Sequence, residues 1–270
     1  MQKLKATLEH FIETNEIEIS QPLLENMMEN IGNTDAYLRD KLIFTSFYYF
    51  FDRGLLTSDQ IEFIVERLVK EKLLVKGIHY SSSDDVFTRS FSSLLVALIF
   101  YFDAKSSLVK EEVLLPLIED ALLSIQLEKD TRGYVGEKGW AHAVAHSADM
   151  IASLAMHPLV KNTQKRQLLE GIERFLLLSS GYVDEEEDRL AFAFLELGKN
   201  HFTASEITKW LEELKHKADQ LYEENKSTVE SYYPRVAVRR FVTAAYFKLK
   251  KDEPENEMAE LLHSFALELY

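Results

Sequence analysis

The chain has 270 residues, 46% of them hydrophobic, which suffices for a sizeable core and argues against disorder. Acids outnumber bases 45 to 31, and the formal charge of −14 repels phosphate backbones and anionic lipid, so neither nucleic acid nor a membrane is an expected partner. The absence of cysteine excludes disulfides, thiolate metal sites and cysteine nucleophiles, and a cytoplasmic location is expected.

Glycine and proline are sparse, nine and five, and long runs are rich in Leu, Glu, Lys and Ala, so the class is all-α. MQKLKATLEHFIETNE at the start carries acids and no apolar core, so no secretory signal is expected. Helices are expected over 3–14 and 20–31, a cap (1–33) on a single domain whose remainder, 34–270, is hairpin repeats. Five apolar segments follow: LRDKLIFTSFYYFF from Leu38, TRSFSSLLVALIFYF from Thr88, GWAHAVAHSADMIASLA from Gly139, DRLAFAFLELG from Asp188 and VRRFVTAAYFKL from Val238. Aligned on Arg39, Arg89, Gly139, Arg189 and Arg239 they recur every 50 residues. The apolar run at 94–102 is too short to span a bilayer and suits a buried helix.

Between them lie amphipathic segments starting at Ser58, Glu111, Thr163, Ala204 and Glu255. In the second, Val113, Leu114, Leu117, Ile118, Ala121, Leu122 and Ile125 follow the i, i+3, i+4 spacing of one buried stripe. Ser58 and Thr163 stand where N-caps belong. Apolar helices alternating with amphipathic ones make an α-solenoid, or α-α superhelix, of about five hairpins, HEAT-like if open and toroid-like if closed.

Repeats of this kind bring equivalent loops to one rim, where function concentrates. Of the loops GIHYSSSDD, EKDTRGYVGEK, GYVDEEE and ENKSTVESYYPR, several exceed the roughly 2–8 residues that most helix connections need. Residues 130–149, DTRGYVGEKGWAHAVAHSAD, hold the densest chemistry. Gly133, Gly136 and Gly139 let the backbone turn or a ligand approach. A helix beginning at Gly139–Trp140 would place His142, His146 and Asp149, at i, i+4 and i+7, on one face. Two imidazoles one turn apart suit a divalent metal, with Asp149 or His79 as a further ligand, or a general acid–base pair whose tautomer Asp149 fixes. The same pattern also fits histidines that merely bond loop carbonyls, and it lacks the glutamate of H-E-x-x-H.

Arg89, Arg132, Arg189, Arg235, Arg239 and Arg240 gather near equivalent helix starts, where they suit a phosphate or carboxylate. Asp84, Asp85, Asp130, Glu185, Glu186, Glu187 and Asp188 share those loops, so a ladder of Asp–Arg pairs between repeats explains them more simply. Tyr134, Trp140, Tyr232 and Tyr233 are candidate pocket walls. The remaining histidines, His10, His157, His201, His216 and His263, are expected at the surface or at caps. SSSDD (81–85) lacks the glycines and lysine of a phosphate loop, and no G-x-S-x-G, dinucleotide or kinase signature occurs.

RGYVGEKGWAHAVAHSADM, with TDAYLRDKLIF, DDVFTRSFSSLLVALI and EEEDRLAFAF, resembles the domain-of-unknown-function family 2785, from about Asp35 to the last full helix. The element G-W-x-H-x-x-x-H-x-x-D carries most of the likeness. The resemblance implies a bacterial cytosolic protein and no particular activity. The leading expectation is a binding module whose rim pocket takes a small polar or anionic ligand or a peptide through Arg89, Asp130, Arg132, Tyr134, Trp140, His142, His146, Arg189 and Arg239. The rivals are a hydrolase or lyase using His142, His146 and Asp149, with or without a divalent metal as cofactor, and a scaffold for a protein partner.

Overall fold

Ile61, Ile64, Val65 and Leu68 are buried along one face of a helix over Ser58–Lys70, as their spacing requires. The same logic produces every element in this computed structural model, which describes residues 1–80, 82–253 and 255–270, and of Asn200 the backbone alone. The expected loop motif SSSDD includes Ser81, which lies outside the described residues.

Two compact units divide the chain, Met1–Val160 and Lys161–Tyr270. The first holds α1 (Gln2–Thr14), α2 (Gln21–Glu29), a π-helical stretch (Tyr37–Phe44) running into α3 (Thr45–Asp52), α4 (Ser58–Lys70), α5 (Asp85–Ser106), α6 (Glu111–Leu127) and α7 (Ala143–Met156). The second holds α8 (Asn162–Leu176), α9 (Glu186–His201), α10 (Ala204–Glu224), α11 (Tyr233–Asp252) and α12 (Glu257–Leu267). The all-α class holds, with a single bridge, Tyr134 to Trp140, as the one extended pairing among the described residues.

In the first unit α1, α3, α5 and α7 pack in one row and α2, α4 and α6 in a second. In the second unit α9 packs on α11 and α10 on α12. These are the two rows of a helical-repeat array, apolar helices within and amphipathic helices without.

The α5–α7 contact is the most extensive, because small side chains let the helices approach closely: Ser90, Ser93 and Ala97 on one, Ala145, Ala148 and Ala152 on the other, all buried. Phe47, Phe50, Phe87 and Phe100 are fully buried in this unit, and each such ring is worth about 1.5–3 kcal/mol of apolar burial. Helix α5 is long and apolar enough to cross a membrane by length and composition, yet 78% of that stretch is buried inside the protein, so its apolar surface is used in packing. His157, expected at the surface or at a cap, caps α7 but is buried: its Nε2 lies 3.0 Å from Asp103 Oδ2 at the end of α5.

Cap positions shift slightly from expectation. Thr57, not Ser58, caps α4, accepting from the Gln60 amide while Gln60 Oε1 accepts from Thr57 N–H at 3.0 Å. Thr163 lies inside the first turn of α8, because Gln164 accepts from the Lys161 amide one residue earlier than Thr163 could serve.

Candidate functional site

The helix expected from Gly139 begins at Ala143 instead. Residues 132–142 form a hairpin-like loop: His142 N–H donates to Arg132 O at 3.0 Å, Ala141 N–H to Gly133 O at 2.8 Å, and Val135 N–H to Gly139 O at 2.9 Å. Gly139 adopts φ +71, ψ −151, open only to glycine, and a Cβ there would meet Ala36 Cβ at 2.7 Å. That close approach delivers the loop to Arg39, which is fully buried. Its guanidinium donates to Lys138 O at 2.8 Å, Trp140 O at 3.3 Å and Asn33 O at 2.7 Å, and lies 4.3 Å from the Phe87 ring. Arg39 Nε is 2.8 Å from the Asp40 carboxylate, yet burial lowers the Arg39 pKa and raises that of Asp40. The bonds to Lys138 O and Trp140 O tie the loop to Arg39 and fix its position.

Arg89 and Glu128 form the second anchor. Both side chains are nearly inaccessible; Nε donates to Oε2 at 2.6 Å, Nη2 to Oε1 at 3.1 Å, and Nη1 to Lys76 O at 2.9 Å. Glu128 Oε1 also accepts the amides of Lys129 and Asp130, so one carboxylate shapes the turn after α6. Arg132 closes that turn, donating to both Asp130 oxygens (Nε to Oδ1 at 2.9 Å) and to Ser83 O at 2.8 Å. The bond to Asp130 raises the Arg132 pKa, so its charge is permanent. The expected Asp–Arg ladder therefore exists in altered form: the inter-repeat ties run from arginine to a glutamate and to backbone carbonyls, while Arg132 meets its aspartate two residues away.

A cavity of about 260 Å³ lies between this turn and the segment before α5, walled by Arg89, Asp130, Arg132, Glu128, Lys129 and Tyr80. Three expected residues thus share one cavity. Glu128, Lys129 and Tyr80 were not singled out from sequence, because nothing local distinguishes them from other loop residues. Tyr80 is 73% exposed, and Lys129 has no carboxylate partner among the described residues.

Tyr134, Trp140, His142 and His146 form a separate cluster of rings. Trp140 stacks on His142 at 4.2 Å, Tyr134 meets Trp140 edge-on at 5.0 Å, and the two imidazole centroids are 5.8 Å apart. His142 stands outside the helix, in the left-handed region at φ 48, so the expected shared helical face is corrected; it is the bond from His146 N–H to His142 O, 2.9 Å, that keeps the rings adjacent. Asp149 is half-buried a turn further along α7. His146 Nδ1 lies 2.7 Å from Ser90 Oγ, whose single proton is drawn to Ala141 O. With that proton on Ala141 O, the Ser90–His146 contact is one that Nδ1–H donates. Ser90 cannot then pass its proton to Nδ1, and a serine–histidine nucleophile gains no support.

His79 is exposed in its loop. Arg189 and Arg239 belong to the second unit, the first exposed on α9, the second half-buried on α11. In that unit Arg240 donates to Tyr182 O at 3.2 Å and sits 3.5 Å from Glu187, while Arg235 donates to Asp219 at 2.7 Å.

No curated protein and no solved structure matches the chain. Residues 74–247 match the family DUF2785, described as "Protein of unknown function", a span that begins later than the likeness read from Asp35. The chain is a member of the DUF2785 family.

Proposed function

We propose that this protein is a ligand-binding module, and that the cavity walled by Arg89, Asp130 and Arg132 takes a small polar anion or an acidic peptide segment. The observation that carries this reading is the division of labour around that cavity. Arg89 and Glu128 are buried and bonded to one another, so the walls are set before any ligand arrives. Lys129 and the ring of Tyr80 are left to face outward. An anion entering would meet the Lys129 ammonium and the outer edge of Arg132, with Tyr80 offering an apolar face; the carboxylates are already occupied by arginine.

A panel of small anions and acidic peptides, screened by thermal shift on the full chain, tests the idea. A binder should be lost in Lys129→Glu and weakened in Tyr80→Ala, both exposed changes that leave the melting temperature of the free protein within about 1 °C, since surface substitutions rarely exceed 0.5 kcal/mol. Retention of full affinity in both variants sinks the reading, as does a panel without a binder.

The rival reading places acid–base or metal chemistry at the paired imidazoles, and the adjacency of the two rings, 5.8 Å between centroids, is what favours it. Elemental analysis of untagged protein decides this: about one equivalent of a divalent ion, lost in both His142→Ala and His146→Ala, supports the rival, and metal-free protein from supplemented medium removes its metal form.

A further inference from the structure

The geometry points to a second binding site, in the unit Lys161–Tyr270, for a small organic acid with a carboxylate at one end and an apolar body at the other. Between α10, α11 and the residues that follow α12 lies a cavity of about 350 Å³, within the range of small-ligand pockets. Arg235 and Arg239 are one turn apart on α11 and line it together. Their situations differ. Arg235 is spent: it pairs with Asp219 at 2.7 Å and lies 4.0 Å from the Tyr222 ring centre.

Arg239 rests on the ring of Tyr270 at 5.0 Å, and among the described residues its guanidinium has neither a carboxylate nor a hydrogen-bond acceptor. A half-buried group with five N–H donors and no acceptor is a fork prepared for a bidentate oxyanion. Lys215, only 3.8 Å from Asp219, adds a second cation beside Arg239, and Glu268 is a further carboxylate in the wall. Lys215, Arg235 and Arg239 thus bring three cations to one wall of a chain whose net charge is −14. Val238 and Ala218, both buried, form an apolar floor, and the Tyr270 ring supplies a flat side. Charge at one end and apolar wall beyond describe an aryl or branched-alkyl carboxylate better than a bare inorganic anion. The stacked ring also favours arginine over lysine at 239, because a guanidinium keeps its fork geometry while lying flat on an aromatic face.

Ligand-observed NMR and calorimetry on the full chain, with benzoate, 3-methylbutanoate, inorganic phosphate and benzyl alcohol as probes, provide the test. Benzoate or 3-methylbutanoate should bind, and Arg239→Ala should weaken that binding at least about tenfold, as loss of a charge-assisted bidentate contact requires. Arg239→Lys should fold normally and bind between the two, retaining charge without the fork. Lys209→Ala, which removes an exposed charge elsewhere on α10, should change nothing. Equal binding by wild type and both Arg239 variants overturns the site, and so does failure of both carboxylates to bind. Phosphate or benzyl alcohol matching benzoate overturns the assigned ligand class. None of these results bears on Lys129 or Tyr80, so this inference and the proposed function stand or fall separately.

Discussion

Arg89 and Arg239 occupy corresponding places in the fifty-residue repeat and are used in opposite ways. Arg89 is buried, saturated by Glu128 and the Lys76 carbonyl, and serves as part of a wall. Arg239 lines a cavity with only an aromatic ring beneath it. The difference lies in the partner, since the turn after α6 supplies a buried glutamate and, among the described residues, nothing comparable reaches Arg239. A repeat position thus fixes where an arginine stands, and the neighbouring loop decides whether it builds structure or remains available. Arg39, at the same register, shows a third outcome, in which its guanidinium donates to backbone carbonyls of Asn33, Lys138 and Trp140.

The largest effect should follow from Arg39→Ala. It strands the Lys138, Trp140 and Asn33 carbonyls and the partly buried Asp40, and removing one partner of a buried pair costs about 3–5 kcal/mol. Urea unfolding should show that loss, and Trp140 emission should shift as its loop detaches. A change below about 1 kcal/mol would mean that surface-type substitution rules apply here and that Arg39 does not hold the loop.

Next comes a double-mutant cycle at Arg89 and Glu128. Each single truncation should cost about 3 kcal/mol, because it leaves a buried unpaired charge, whereas Arg89→Met with Glu128→Leu should cost clearly less than the sum of the two. Arg239→Met should stay within about 0.5 kcal/mol, since no partner is stranded. Additive losses at Arg89 and Glu128, or a large loss at Arg239, would erase the contrast between the two arginines. Gly139→Ala follows, at about 1–3 kcal/mol for its glycine-only backbone, with the contact against Ala36 added to that.

The repeat register and the all-α class were legible because burial stripes and apolar runs are local properties of sequence. Positions 39, 89, 189 and 239 stood out for the same reason. The start of α7 was misplaced by four residues, since G-W-A-H reads as an apolar helix opening. The left-handed backbone of Gly139, the loop's own cross-bonds and the two carbonyls it presents to Arg39 go instead with a hairpin. Glu128 and Lys129 were invisible as wall residues, because their roles depend on Arg89 arriving from 39 residues away in sequence. His157 was misjudged for an equivalent reason: its partner Asp103 lies 54 residues away. The ring cluster of Trp140, His142 and His146 was anticipated as a group, although a left-handed turn assembles it and not a shared helical face.

The smallest effect concerns Glu187, whose carboxylate is buried, with the largely solvated Arg240 3.5 Å away. Burial raises its pKa despite that neighbour, and Glu186, also buried and raised, stands beside it on α9. A carboxyl whose folded pKa exceeds its unfolded value binds protons more tightly when folded, so its contribution is fully present below the unfolded pKa and lost as pH rises through the folded one. Glu187→Gln removes the buried charge, and should therefore be more stable than wild type near pH 7.5. The gap should narrow toward pH 5 and close near pH 4, where both side chains are neutral. In a Trp140→Phe background, Trp210 is the one remaining tryptophan and reports urea unfolding of the second unit. A gap that widened on acidification would show that the Arg240 contact, and not desolvation, governs Glu187. The rule drawn from Arg89 and Arg239, that a buried charge in this fold is set by the partner its neighbouring loop provides, would then need a solvated partner counted as sufficient.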